Sequence, residues 1–163
     1  MGTRRHAREW ALQMLFQFDH NPAENLDGAL GEFWRQQEAA RADDRDERGA
    51  GATDKPGDGA LAPDRIRAFA ERLVRGVVQN REAIDTRLTG YVRNWPLHRM
   101  GGVERNVMRL AFYELFFEDE TPPVVCINEA VDLAKYFSNA EAGRFVNVIL
   151  DQAAKEARRP ARE

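Results

Sequence analysis

One cysteine, Cys126, stands alone among 163 residues, so the chain can form no internal disulfide and no multi-cysteine zinc site. That scarcity fits a reducing compartment. Long apolar runs are also missing: none approaches the roughly 20 residues that span a bilayer, and the N-terminus lacks the apolar stretch of a secretion signal. A soluble, cytoplasmic protein is expected, with no membrane partner. Met1-Gly2 opens like a myristoylation signal, but His6 stands where that signal needs Ser or Thr. His6, His20 and His98 are far apart and form no His-Glu-x-x-His pair. Ser138 is the only serine and lacks a nucleophile elbow, and the glycines match neither a P-loop nor a dinucleotide fingerprint. Cys126 lies among Val125, Ile127 and Ala130, a setting that raises a thiol pKa and blocks access. No catalytic constellation, metal-ligand set or cofactor motif remains, and a non-enzymatic function is expected.

Strand alternation is absent too, and a period of 3.6 residues runs through the chain instead. The fold class is all-α. Residues 103 to 118 form the most apolar segment, with Val103, Val107, Leu110 and Ala111 on one side and Met108, Phe112, Tyr113, Leu115, Phe116 and Phe117 around the rest. This is a central helix. Its polar residues, Glu104, Arg105, Asn106 and Arg109, crowd the first two turns, which are therefore expected at the surface.

Before it, a first helix buries Ala7, Ala11, Leu15 and Phe18, broadened by Trp10 and Met14, and ends near Asn21-Pro22. A second, from 24 to about 42, buries Leu26, Leu30, Phe33 and Trp34. Residues 43–62 are glycine- and charge-rich with little to bury, which predicts a disordered insertion between the second and third helices. Pro63-Asp64 starts a third helix carrying Ile66, Phe69, Leu73, Val74 and Val77; a fourth carries Ile84, Leu88, Tyr91 and Val92 and stops at Trp95-Pro96. After Pro122-Pro123 a sixth helix follows the seam Val124, Ile127, Val131 and Ala134, with Cys126, Ala130, Leu133 and Phe137 on the neighbouring stripe. The seventh begins at Asn139, a favourable N-cap. It turns Ala142, Phe145, Val146, Ile149 and Ala153 inward and leaves Glu141, Arg144, Asn147 and Asp151 outward, before a frayed tail over 156–163.

The net charge of −3 identifies no polyanionic partner, but its distribution is informative. Arg4, Arg5 and Arg8 occupy the first turns of the first helix, beside a positive dipole end that repels them. If the first, fifth and last helices meet, these arginines join Arg109 and Arg144 in one basic patch. Sequence preference then requires unstacked bases against planar or hydrogen-bonding side chains, for which Glu141, Phe145 and Asn147 are candidates. Single-stranded RNA is the polyanion this pattern suits best.

Four segments, His6-Ala-Arg-Glu-Trp-Ala-Leu-Gln-Met-Leu-Phe16, Val103-Glu-Arg-Asn-Val-Met-Arg-Leu-Ala-Phe-Tyr-Glu-Leu115, Val125-Cys-Ile-Asn-Glu-Ala-Val-Asp-Leu-Ala-Lys135 and Arg144-Phe-Val-Asn-Val-Ile-Leu-Asp151, resemble in order the motifs of the NusB family of bacterial antitermination factors. The resemblance covers nearly the whole chain apart from 43–62. It implies a single domain over 1–163, of about seven helices in two packed halves. It also implies binding of boxA RNA in ribosomal RNA transcripts together with NusE, the small-subunit ribosomal protein ten, within an RNA polymerase antitermination complex. By position, the RNA-facing residues are Arg4, Arg5, Arg8, Arg109, Glu141, Arg144 and Phe145, and the NusE-facing residues are Phe16 and Glu104. The chain departs from the family pattern at Glu141-Ala142, where Asp-Ser is usual, at Val148 in place of glycine, and at Phe16 where tyrosine is common. An alternative reading is a protein-interaction module that forms a homodimer and buries its arginine-rich start in the interface.

Overall fold

The computed structural model describes residues 3–48 and 63–157. Seven α-helices follow one another: α1 (Thr3–His20), α2 (Leu26–Arg48), α3 (Asp64–Gln79), α4 (Arg81–Thr89), α5 (Gly102–Phe116), α6 (Pro123–Phe137) and α7 (Ala140–Ala157), with one 3-10 turn over Leu97–Arg99. Among the described residues every regular element is helical, and no helix is long and apolar enough to cross a membrane.

The helices form two packed halves that share α5. On one side α1 lies against α3 and α5, while α2 attaches through an aromatic cluster in which Trp10 meets Phe33 at 5.9 Å and Trp34 at 5.4 Å between ring centroids. On the other side α6 and α7 pair, and both pack on α5. The apolar encirclement of α5 explains its place: Val107, Met108, Leu110, Ala111 and Phe112 are all buried. Truncating Leu110 to alanine there costs about 2 to 5 kcal/mol, the usual range for a core leucine. Close packing of α3 on α5 depends on Gly76, where an added Cβ would lie 2.1 Å from the Tyr113 ring.

Several boundaries differ from the periodicity. α2 runs through Arg48, past the start of the expected insertion, and residues 49–62 lie outside the described residues. α4 stops at Thr89, leaving Tyr91 and Val92 to pack from the following turn, and α7 continues to Ala157. The tail from 158 onward is likewise outside the described residues. On α6 the buried face is turned toward the neighbouring stripe: Cys126, Ala130 and Leu133 are buried with Ala134 of the expected seam, Ile127 and Val131 are half-buried, and Val124 is 55% exposed.

Candidate nucleic-acid and partner interface

The three arginines that open α1 meet three different fates. Arg4 is exposed, its guanidinium 5.1 Å from the centroid of the Phe69 ring. Arg5 is exposed but held by Glu129 at 3.0 Å and Asp132 at 2.6 Å, both on α6. Arg8 is buried. Its Nε and Nη2 donate to the Glu114 carboxylate on α5, the shortest at 2.7 Å, and Thr121 Oγ1 donates to the same carboxylate at 3.3 Å. A helical register explains the divergence: Arg8 falls on the stripe of Ala7, Ala11 and Leu15, so the fold must bury its charge with a partner. Arg8 is therefore a packed ion pair within its own chain, contrary to its expected place on a phosphate-facing surface. Arg4, Arg5 and Arg8 still line one cleft of about 550 Å³, together with Thr121, Pro122, Val125 and Glu129.

Near the same end of α1, an exposed ion pair lies beside partly and fully buried titratable groups. Arg72 lies 5.1 Å from Phe69 and pairs with Glu120 at 2.6 Å and Glu118 at 3.6 Å. Burial, then repulsion from Glu114, pushes the Glu118 carboxyl above its ordinary pKa. Burial and Glu114 likewise push the Cys126 thiol up to about 12, so it stays protonated and unreactive.

The polar opening of α5 is only partly at the surface: Glu104 and Arg105 are half-buried. Asn106 and Arg109 are buried, 1% and 4% exposed, and belong to an internal ion network rather than to the expected surface. Arg109 donates from Nε and Nη2 to the two oxygens of Asp85 at 2.8 and 3.0 Å, and its Nη1 lies 3.3 Å from Asp19. Asp19 also accepts from Arg105 at 2.8 Å and Asn106 at 3.1 Å. Burial raises the Asp19 pKa, but these hydrogen bonds and the Arg109 and Arg105 charges outweigh it and hold the carboxyl below its ordinary value. The network joins the end of α1 to the start of α5. Arg105 Nη1 further donates to the carbonyls of Leu97 and Met100 at 2.9 and 3.0 Å, which pins the loop before α5.

Phe16 and Glu104 come together at this same end. Phe16 is 39% exposed and packs edge-on against His20, with 4.7 Å between centroids. Its ring crosses Gly102 so closely that a Cβ there would lie 2.7 Å from Cε2. Beside it opens an apolar groove of about 560 Å³ lined by Leu12, Phe16, Phe33, Val103 and Phe137, among others. Glu104 accepts a 2.6 Å hydrogen bond from the Ser138 hydroxyl, next to Asn139, whose side chain caps α7 by accepting from the Ala142 N–H at 2.8 Å.

Along α7, Glu141, Arg144 and Asn147 are exposed, as expected. Arg144 forms no ion pair with any described residue. Phe145 is half-buried rather than core, its ring 5.0 Å from that of Trp95 in the loop before α5.

The NusB family profile matches residues 5–155. The chain belongs to the NusB family. Transcription antitermination protein NusB of Trichlorobacter lovleyi is 40% identical over 93% of this chain and 90% of that protein, and that of Myxococcus xanthus is 37% identical over 98% and 100%. Among solved structures, T. maritima NusB is similar with a TM-score of 0.71 at 34% identity, over 94% of this chain and 91% of that one. A chain from the crystal structure of antitermination factors NusB and NusE in complex with double-stranded RNA matches with a TM-score of 0.74 at 26% identity, over 96% and 98%.

In this NusB-family chain the expected single cationic groove divides into two stations. The α1 arginines lie at the C-terminal end of α5, by Glu114, while the start of α7 lies at its N-terminal end, by Glu104. Ten residues of helix separate those two glutamates, about 15 Å along the axis at 1.5 Å per residue. Arg109 lies buried between them and belongs to neither. Nothing in the periodicity of α1 singles out Asp19 as the acceptor for three α5 side chains. Trp95 carried a signal as a tryptophan at a helix end, but its contact with Phe145 spans 50 residues of sequence.

Proposed function

We propose that this chain is a non-catalytic RNA-binding adaptor of transcription antitermination, taking boxA-type single-stranded RNA and a NusE protein together within an RNA polymerase complex. One observation carries the reading: the start of α7, with its unpaired Arg144 and half-buried Phe145, is joined through the Ser138–Glu104 hydrogen bond to the Phe16 groove. An exposed guanidinium supplies phosphate attraction, and the adjacent ring supplies a face for an unstacked base. Arg4 over Phe69 repeats that combination at the other station. Arg5 is partly neutralised by its carboxylates, and Arg8 and Arg109 act through packing rather than contact.

Phe16 offers an apolar anchor to NusE and Glu104 a charged one; the missing tyrosine hydroxyl at position 16 removes one hydrogen bond from that anchor. Because Glu104 on the partner side is hydrogen-bonded to Ser138 just before α7, where the RNA side begins, each ligand should strengthen the other's binding by the same factor. The test is a titration of labelled boxA-type RNA with and without NusE. Tighter RNA binding in the presence of NusE is the expected result, with single strands preferred over a duplex competitor. Equal binding with and without NusE, or a preference for duplex, would overturn the coupling or the strand assignment respectively. Phe16→Asp should weaken NusE capture while helicity is retained.

A further inference from the structure

Trp95 is 43% exposed, although a side chain of that size gains much by burial. Its indole N–H donates to no described residue. The loop that carries it is not loose: Trp95 N–H donates to the Val92 carbonyl at 3.0 Å, and Arg105 holds the Leu97 and Met100 carbonyls. A rigid loop thus displays an indole whose ring meets Phe145 at 5.0 Å and an interplanar angle of 51°. Arg93 and Arg99, two positions before and four after Trp95, are exposed and ion-paired to no described residue, as is Arg144 beside Phe145. Elsewhere in the molecule Arg8 and Arg72 also meet an aromatic ring but are neutralised by carboxylates, whereas Arg4 over Phe69 and Arg87 over Phe116 pair with no carboxylate of the described residues.

We propose that Trp95 and Phe145 together form a stacking platform for an unpaired RNA base, with Arg93, Arg99 and Arg144 drawing the flanking phosphates. The proposal rests on the RNA-binding reading above and adds to it a residue, Trp95, and a mode of contact. Two rings inclined to one another leave one indole face open, and a π-face accepts any base, so the platform contributes affinity rather than sequence choice. A nucleic-acid strand is favoured over an acidic peptide because stacking and unpaired guanidinium groups occur together, and a peptide carboxylate would use only the second.

The test is a titration of the full-length chain with single-stranded boxA-type RNA. Trp95→Ala should weaken binding by about tenfold, the effect of removing one base stack, with the log–log salt slope unchanged because every phosphate contact is kept. Trp95→Phe should recover most of the affinity. In an RNA series with one abasic nucleotide moved along the strand, a single position should weaken binding to the unaltered protein and leave binding to Trp95→Ala unaffected. Unchanged affinity of Trp95→Ala, alongside weakened binding by Arg144→Ala, overturns the platform and leaves the RNA-binding reading standing. No RNA binding by the unaltered protein, with or without NusE, overturns both. If Trp95→Ala does not fold, ultraviolet crosslinking of the unaltered protein decides: an RNA adduct on the Trp95 peptide supports the platform, and adducts only elsewhere overturn it.

Discussion

Arg8 of α1 and Arg109 of α5 carry the same charge as Arg144 of α7 in opposite surroundings. Arg8 and Arg109 are desolvated and bonded to Glu114, Asp85 and Asp19; Arg144 stands in solvent and forms no ion pair with any described residue. A buried guanidinium with a good partner adds nothing to the field outside the protein, because the pair is close to neutral. An exposed unpaired one attracts phosphate over about a Debye length, roughly 8 Å at physiological salt. Counting basic residues along a helix therefore overstates the binding surface whenever the count includes residues on the buried stripe.

The sharpest way to break this contrast is to remove Glu114. Glu114→Ala leaves the Arg8 charge buried and unpaired and should destabilise by about 3 to 5 kcal/mol, read from chemical denaturation. A change below about 1 kcal/mol, the range of exposed pairs, would show that Arg8 swings out to solvent and belongs with the surface arginines after all.

Asp19 gives a smaller effect with a pH signature. Its carboxyl titrates below its unfolded value, so the stabilisation is complete above the ordinary carboxylate range and disappears as pH falls through the folded value. Asp19→Asn keeps an oxygen acceptor but removes the charge, and should cost about 1.5 to 3 kcal/mol at neutral pH, as for hydrogen bonds to charged groups. The variant's stability should also fall less steeply in acid than that of the unaltered protein. An unchanged acid limb in denaturation curves taken from about pH 7 to about pH 2 would assign that dependence to other carboxylates.

Arg5 lies between the two classes, exposed yet paired with Glu129 and Asp132. Arg5→Ala should cost about 0.2 to 1 kcal/mol of stability, the range of exposed ion pairs. Arg144→Ala should change stability least, by less than about 0.5 kcal/mol, as at other exposed sites without a packed partner. Its effect belongs to binding: affinity for single-stranded RNA should drop, and the log–log salt slope should shrink by about 0.7, the share of a single phosphate. A full slope in that variant would place the phosphate contacts at Arg4 and the α1 cleft instead.

What the chain determined unaided was local: seven helices, the all-apolar α5, the proline that opens α3 and the Asn139 cap of α7 all follow from short-range periodicity and capping chemistry. Four ordered motifs were also enough to mark the NusB family. Tertiary structure alone decided which arginines face water, because Arg8 and Arg109 become internal only when Glu114, Asp85 and Asp19 arrive from other helices. It decided too that Cys126 rather than Val124 faces the core of α6, and that Trp95 meets Phe145. Periodicity says which residues share a face of one helix; which partner that face meets, and whether a charge on it is neutralised, depends on contacts between segments far apart in the chain.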